Sequence, residues 1–246
     1  MGIYFIGYKN DKTRFSLMQK ANQIGMNLVQ TPSSNDLYFL TNTNTDFLKF
    51  TGKDAYIANI YGWVDNVDQL HLLHSRYDNV DFLIHADDFN YIVSRFGLPF
   101  VYKDMYGKVE LVTTQLQFAN LTRSETSYIV EKYIRSSFGK SFKVFCIGGE
   151  ARFSYEYVNN YEFDSTKGKV TLRGLNSVLR DDSWSFYEHT GLWYFTANYL
   201  ISKGGNLVFT GISPHPQFAE LETKLGKDIS TDILNFVKSR FDCVFI

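Results

Sequence analysis

Basic side chains are the residues of this sequence that are best suited to chemistry, because ammonium and guanidinium groups bind phosphates and other anions. The run "RSSFGKSFK" holds Arg135, Lys140 and Lys143 close together. Such a cluster can hold a phosphate-bearing ligand, and solvated charges beside a hairpin are the alternative. Lys103 ends the apolar run "LPFVYK", where a surface lysine at the end of a strand is the simplest interpretation.

His71 and His74 form a candidate metal site. They lie three positions apart on an expected helix that begins near Asp68, a spacing that suits metal ligation. The alternative is that one histidine is partly buried and the other is solvated. The sequence has no Ser-His-Asp signature, no G-x-S-x-G motif and no P-loop, which argues against serine hydrolases and P-loop NTPases.

The composition is that of a folded protein without a strong charge bias. Of 246 residues, 44% are apolar and the formal net charge is −1, so nucleic acid is not an expected partner. Cys146 and Cys243 provide no disulfide framework, and a reducing cytoplasm is the expected compartment. No apolar run reaches the ~18 residues of a membrane span, and the N-terminal run is too short for a signal peptide.

The first part of the chain alternates strand and helix signals. Strands are expected in "IYFIGY", "MNLVQT", "DLYFLT" and "AYIANI". The helix after the first strand is expected to bury Phe15, Met18 and Ala21. A second helix, capped by Asp65 or Asn66, follows the last of these strands. This order predicts a small α/β lobe of βαβ type.

The middle of the chain predicts antiparallel strands and helices. "ADDFNYIVSRFG" is expected to be a helix, and "LPFVYKDMYGKVELVTT" is expected to be two strands joined by a turn. "KSFKVFCIGGEARFSYEYVNN" predicts a hairpin that turns at Gly148 and Gly149. The polar stretch from Tyr161 to Asp182 is interpreted as loops or a weak hairpin.

The C-terminal part ends in the clearest helix of the sequence. "SWSFYEHTGLWYFTANYL" is either one aromatic helix or a helix followed by a strand from near Ala197, and "NLVFTGI" is a strand. The last helix is capped by Asp228, with inward residues expected at Ile229, Ile233, Val237 and Phe241. No low-complexity linker occurs, so the lobes are expected to share one continuous core.

Three segments, in order, resemble one family: "LPFVYKDMYG", "YIVEKYIRSSFGKSFKVFCIGGEA" and "GISPHPQFAELETKLGKDISTDILNFVKSRF". They are similar to ATP-grasp ligases of the RimK-like, peptide–glutamate ligase branch, over roughly residue 65 to the end. The resemblance implies an α+β fold in which a βαβ lobe (1–80) precedes an ATP-grasp-like region (81–246). Within that region a nucleotide lobe (81–150) and a C-terminal lobe (151–246) would enclose a cleft.

The same resemblance assigns roles to six cofactor-binding residues. Lys103 matches the strand lysine that contacts the nucleotide phosphates, and Lys143 stands in place of an arginine, keeping the charge but losing the forked geometry. The remaining residues fall on the hinge, where backbone groups would pair with adenine: Glu131, Lys132, Tyr133 and Ile134. No catalytic residue is assigned.

Several motifs of the family are changed in this sequence. The glycine-rich lid is shortened to "MYGKV", which leaves Gly107 to turn the chain. An earlier family lysine aligns with Asp68-Gln69. Both losses remove groups that would hold a triphosphate.

The metal positions of the family carry no carboxylate here. They align with Asn198, Gly211 and Ser213, and a shifted register gives Phe209 and Gly211 instead. Magnesium ions beside a triphosphate require several anionic oxygens, so no metal site is predicted at these positions. Glu220 and Glu222 could bend back towards the site, and solvated charges at a helix start are the alternative.

Two functions remain open at this point. The losses favour a pseudo-ligase, a binding or scaffolding module for a peptide or protein partner, which needs no cofactor. Its partner surface is expected around the aromatic run from Trp184 to Tyr199. The alternative is an ATP-dependent carboxylate–amine ligase that uses ATP and Mg²⁺, works through an acylphosphate and has a non-standard metal site.

Overall fold

The structure is a computed structural model, and the residues that it describes form three sheets. The residues that it describes are 2–6, 11–31, 36–41, 56–58, 78–104, 108–122, 128–137, 139–159 and 168–244. Their helices are α1 (Lys12–Gln23), α2 (Phe89–Phe96), α3 (Gln115–Thr122), α4 (Ser177–Thr190), α5 (Ala219–Leu225) and α6 (Ile229–Val244), with a 3₁₀ turn at Arg135–Ser137. Their strands are β1 (Ile3–Ile6), β2 (Leu37–Leu40), β3 (Tyr56–Ala58), β4 (Asp78–Asn79), β5 (Phe82–Ile84), β6 (Phe100–Asp104), β7 (Val109–Val112), β8 (Tyr128–Lys132), β9 (Lys140–Ile147), β10 (Glu150–Val158), β11 (Lys169–Arg173), β12 (Tyr194–Ile201) and β13 (Leu207–Ser213).

A parallel sheet of order β1-β2-β3 forms the N-terminal part. Helix α1 connects β1 to β2, which confirms the βαβ prediction. Asp11 begins this helix, because its carboxylate accepts hydrogen bonds from the N–H groups of Thr13 and Arg14. The expected helix near Asp65, the paired residues Asp68-Gln69, and the histidines at 71 and 74 lie outside the described residues.

Two predictions for this region are wrong. Of the three residues that α1 was expected to bury, Ala21 is buried and Met18 packs partly buried against the same core, whereas Phe15 is 70% exposed and Leu17 is buried instead. Leu17 and Ala21 are four positions apart and share one face, while Phe15 lies two positions before Leu17 and so points away from it. The run "MNLVQT" forms a single bridge between Leu28 and Ile3 instead of a strand.

The antiparallel sheet of order β5-β8-β6-β7, called the small sheet, packs against α2 and α3. Asp88 caps α2, which buries Ile92 as its apolar pattern predicts. Strands β6 and β7 confirm the predicted pair. Helix α3 was not predicted, because within "QLQFANLT" Phe118 is buried while Leu116 is 73% exposed, so the periodic apolar signal is weak.

The remaining strands form the large sheet, in the order β11-β10-β9-β12-β13-β4. Strands β9 and β10 are the predicted hairpin, and Gly148 and Gly149 turn it with positive φ angles of 58° and 83°. Strand β11 pairs with β10, in keeping with the weak-hairpin alternative. The end of the polar stretch is not a loop, because Asn176 accepts from the Leu179 N–H and starts α4.

The aromatic run after this start is a helix followed by a strand. Gly191 ends α4 in the left-handed region, with φ 65°, and β12 begins at Tyr194, three residues before the predicted Ala197. The final helix, α6, confirms the prediction at three of its four inward residues: Asp228 accepts from the Thr231 N–H, and Ile229, Ile233 and Val237 are buried, while the side chain of Phe241 lies outside the described part of the chain.

The large sheet is covered on both faces. Helix α4 packs on one face, where Phe186 lies 4.9 Å from Phe209 between ring centroids. Helices α5 and α6 and the parallel sheet cover part of the other, where Phe39 stacks on Tyr194 at 5.8 Å. The small sheet has its own hydrophobic cluster, so the prediction of one continuous core is wrong for that sheet.

The aromatic partner surface predicted between Trp184 and Tyr199 is mostly interior. Phe186, Phe195 and Tyr199 are buried, and Trp184 is 52% exposed. Within the described residues, no helix combines the length and the apolar character needed to span a membrane.

Candidate functional site

Strand alternation places two charged side chains on the face of the small sheet that lies away from its core. Tyr102 and Val130 belong to the core cluster, so Lys103 and Glu131 lie on the opposite face. The Lys103 Nζ atom is 3.4 Å from the carbonyl oxygen of Thr210 in β13. This face of the small sheet therefore meets the large sheet, and the space between them is called the cleft below.

Lys103 and Glu131 form a buried ion pair. The Nζ atom of Lys103 lies 2.8 Å from Oε1 and 2.7 Å from Oε2 of Glu131. The side chains are 22% and 3% exposed, respectively. Burial raises the pKa of the Glu131 carboxyl, and the charge of Lys103 opposes that rise. The Lys103 ammonium is therefore already compensated within the protein.

Three of the predicted positions form a row across the large sheet, called the large-sheet row. Lys143 of β9 pairs in register with Asn198 of β12, which pairs with Gly211 of β13. The neighbours of Asn198 along β12, Ala197 and Tyr199, belong to the cluster under α4. The large-sheet row consequently lies on the other face of the sheet, because successive side chains alternate.

A β-bulge at Thr210 sets the position of Gly211 in this row. Tyr199 pairs with Phe209 and Asn198 pairs with Gly211, so Thr210 is the extra residue. Its hydroxyl donates to the Asn198 carbonyl at 3.2 Å. Gly211 has a φ of 119°, and no atom lies within 4 Å of the place where a Cβ would stand. The large-sheet row thus borders open space at Gly211.

Asn198 and Ser213 contact each other. The Asn198 Nδ2 donates to the Ser213 Oγ at 3.0 Å. The Asn198 Oδ1 atom is buried and accepts no hydrogen bond from the described residues. An amide oxygen without a donor is a costly feature in a protein interior and marks a place where a ligand or water can bind.

Lys143 carries a charge that no described carboxylate compensates. Its neighbours along β9, Phe142 and Val144, are core residues, and burial lowers the pKa of the Lys143 ammonium. None of the ion pairs among the described residues includes it. An uncompensated cation on the face of the large-sheet row attracts an anion.

The predicted hinge links the two sheets. Lys132 ends β8, where its N–H donates to the Asp81 carbonyl and its ammonium lies 3.7 Å from the Asp81 carboxylate. Tyr133 and Ile134 follow, and Ser137 then accepts from the Ile201 N–H at 2.7 Å. This contact fastens the link to the end of β12.

His215 belongs to the same region and was missed by the sequence analysis. It follows β13 in "SPHPQ", and burial lowers its pKa to about 4, so the imidazole is neutral at neutral pH. The two flanking prolines were the available signal, because they restrict the backbone and hold the histidine at the end of the strand.

Glu220 and Glu222 do not bend back towards the large-sheet row. Glu220 pairs with Lys12 at 2.8 Å, and Glu222 accepts from the Ser16 hydroxyl at 2.9 Å and the Ser230 N–H at 2.6 Å. Glu220 therefore joins α5 to α1, and Glu222 joins α5 to both α1 and α6.

The donor set does not fit magnesium. The positions predicted to replace metal ligands do come together, and they supply an amide, a glycine and a hydroxyl beside an ammonium. Mg²⁺ is held by carboxylates together with phosphate oxygens. The described residues contain no group of three or more histidine, cysteine, aspartate or glutamate side chains able to hold a metal. The shortened lid at residues 105–107 lies outside the described residues.

Solved structures of similar shape share this arrangement of sheets. The ATP-grasp ligase PsnB, complexed with a phosphomimetic variant of its minimal precursor, Mg and ADP, superposes with a TM-score of 0.68 over 96% of this chain and 97% of that chain, at 12% identity. A RiPP-associated ATP-grasp ligase of Chryseobacterium gregarium, with ADP and a leader and core peptide, gives 0.66 over 98% and 97%, at 10% identity. The chain has the ATP-grasp fold.

A third ATP-grasp relative in shape binds a precursor peptide. The macrocyclase MdnC of Microcystis aeruginosa MRC, bound with precursor peptide MdnA, gives a TM-score of 0.63 over 96% of this chain and 100% of that chain, at 11% identity. No family model matches the sequence, and no curated protein matches it. The ATP-grasp likeness stated from the motifs is thus confirmed at the level of the fold.

Proposed function

We propose that this chain is an ATP-grasp protein that binds an adenine nucleotide and a peptide in its cleft without carrying out ligation. The observation that carries the proposal is the large-sheet row, in which an amide and a glycine occupy positions that the resemblance assigns to metal-binding carboxylates, beside the ammonium of Lys143. Glu220 and Glu222, the nearest acidic alternatives in sequence, are engaged elsewhere. The cleft thus offers positive charge and hydrogen-bonding groups for binding.

The nucleotide part of the proposal rests on the hinge and the two lysines. Backbone groups from Glu131 to Ile134 are the proposed adenine contacts, because they link the two sheets at the edge of the cleft. Lys143 is the proposed phosphate contact. Lys103 would reach the phosphates only by giving up part of its contact with Glu131.

The proposed domain division follows the sheets. Residues 1–80 would form the N-terminal lobe and 81–246 the ATP-grasp region, with the nucleotide lobe ending by 150. The small sheet, from Phe82 to Lys132, supports a nucleotide lobe, while β9 pairs with both β10 and β12 and favours an earlier end for that lobe, between Lys132 and Lys140.

A peptide is the proposed partner because the similar structures hold one. PsnB and MdnC are each described with a precursor peptide, and the Chryseobacterium gregarium ligase is described with a leader and core peptide. The same structures support the alternative, an active carboxylate–amine ligase, since two of them contain ADP and one of these also contains Mg. Membership of the RimK-like branch, which rests on the sequence motifs, is part of both proposals.

Two experiments separate the two functions. The first is calorimetric titration of the protein with ATP. The second is incubation with ATP, Mg²⁺ and peptides rich in carboxylate and lysine side chains, followed by chromatography of the nucleotide. We expect saturable ATP binding and no ADP above the level without protein. ADP formation that disappears in Lys103→Met would favour the active ligase. Absence of ATP binding with and without Mg²⁺ would refute the nucleotide part of the proposal.

A further inference from the structure

The form of nucleotide that suits the cleft follows from the charges along the large-sheet row. Lys143 presents an ammonium that no described carboxylate compensates, with Asn198 beside it on β12. A nucleotide–magnesium complex carries less negative charge than the free nucleotide, and proteins usually hold its magnesium through one or two carboxylates. Next to an ammonium, that cation meets a like charge and no anionic ligand. Metal-free phosphates carry the opposite charge and match Lys143.

The hydrogen-bonding groups of the large-sheet row leave one acceptor available to a bound ligand or to its water. The Asn198 Oδ1 atom is buried and has no donor among the described residues, while Nδ2 is used by Ser213. An acceptor in this position is satisfied by a water or by a ligand hydroxyl. The open space in front of Gly211 leaves room for that group.

The two lysines differ in how far they are available to an anion. The Lys103 ammonium lies within 2.8 Å of both carboxylate oxygens of Glu131 and also faces the Thr210 carbonyl. It brings little net charge to the cleft, because Glu131 cancels it at contact distance. Lys143 is thus the stronger attractor of phosphate of the two.

We propose that the Lys143 ammonium takes the place of a divalent cation, so that the cleft binds a nucleoside triphosphate in its metal-free form. This inference rests on the proposed nucleotide binding and specifies the state of the ligand. The Lys143 ammonium contacts the phosphate oxygens, and the Asn198 Oδ1 accepts from a water or hydroxyl of the bound ligand.

The experiment is calorimetric titration of the full chain with ATP, once in excess EDTA and once in millimolar Mg²⁺. We expect binding in EDTA that is at least as tight as in Mg²⁺. Lys143→Met should weaken the binding in EDTA by about tenfold or more, because a charge-assisted contact to phosphate is lost. Lys169→Met is the control, since Lys169 is an exposed lysine of β11, at the edge of the same sheet, and it should leave the affinity unchanged.

A second variant keeps the test informative if Lys143→Met does not fold. Asn198→Asp places a carboxylate beside Lys143 with little change in shape. It should abolish tight binding of metal-free ATP and make binding depend on Mg²⁺. Unchanged affinity of Asn198→Asp in EDTA would contradict the inference.

The outcomes also separate the inference from the proposed function. ATP binding that requires Mg²⁺ in the wild-type chain would overturn the inference and leave nucleotide binding intact. Binding in EDTA that Lys143→Met does not weaken would overturn it as well. No binding of ATP in either condition would overturn the proposed function itself.

Discussion

The two sides of the cleft handle a buried charge in opposite ways. On the small sheet, Lys103 lies against Glu131 and the pair is complete within the protein. On the large sheet, Lys143 has no described carboxylate partner, and the Asn198 Oδ1 beside it accepts no hydrogen bond from the described residues. An ion pair within the protein holds both of its side chains in place. A buried charge without a partner raises the free energy of the empty cleft, and binding of an anion lowers that free energy. The charge on the small sheet is therefore compensated within the protein, whereas the charge on the large sheet favours binding of an anionic ligand.

Breaking the pair on the small sheet should have the largest effect. Lys103→Met leaves the Glu131 carboxylate buried without a counter-charge, and we expect the free energy of unfolding to fall by about 3 kcal/mol. Lys143→Met, which removes an uncompensated charge, should leave stability unchanged or raise it by about 1 kcal/mol. Urea unfolding of both variants measures the difference.

A double substitution checks that the loss comes from the stranded carboxylate. Lys103→Met combined with Glu131→Leu replaces both charges by apolar groups and should recover most of the lost stability. A double variant as unstable as Lys103→Met would show that packing of the lysine stem, rather than its charge, is what matters.

Protonation of His215 tests whether the end of β13 is as unfavourable to cations as the Lys143 site. The pKa of this imidazole is lowered to about 4 in the folded chain, from 6.5. Between these values the unfolded chain binds the proton and the folded chain does not, so stability is lost as the pH falls. From pH 7 to about pH 4, the free energy of unfolding should therefore fall in both proteins, but by about 2 kcal/mol more in the wild type than in His215→Gln.

Thermal and urea unfolding across this pH range measure that difference. Parallel profiles for His215→Gln and the wild type would contradict the burial of a neutral imidazole at this position.

Gly211→Glu tests whether the large-sheet row accepts the missing carboxylate. The space in front of Gly211 is open, but its φ of 119° disfavours any side chain, and we expect a cost of about 1 kcal/mol. Gly211→Ala carries the same backbone cost without the charge. If the new carboxylate pairs with Lys143, Gly211→Glu should be more stable than Gly211→Ala, as measured by urea unfolding.

The smallest effect concerns the pH dependence of nucleotide binding. Burial lowers the pKa of Lys143, so its charge is lost as the pH rises, and the affinity for ATP in EDTA should fall several-fold as the pH approaches the ordinary lysine pKa of about 10.4. Lys143→Arg stays charged over this range and should lack the fall. An equal decline in both proteins would assign it to another group.

Local patterns in the sequence predicted much of the architecture. The β9–β10 hairpin follows from two alternating runs around Gly148 and Gly149, and α6 follows from Asp228 and an apolar residue at every fourth position. Helix α3 escaped prediction because its single buried aromatic, Phe118, gives no periodic pattern. The prediction for α1 placed the large apolar side chain of Phe15 inward. The tertiary contacts of Leu17 and Ala21 determine instead which face of the helix is buried.

The amino-acid sequence is enough to identify the residue types proposed to border the cleft: two lysines, and an asparagine, a glycine and a serine at the positions that the resemblance assigns to metal ligands. The balance of their charges depends on the folded chain. Lys103 and Glu131 are 28 positions apart in the sequence, and Lys12 and Glu220 are 208 positions apart, so no local sequence pattern predicts either ion pair. Electrostatic energies depend on distance and burial in the folded chain, so the lack of a described carboxylate partner for Lys143 can be recognised only from the folded structure.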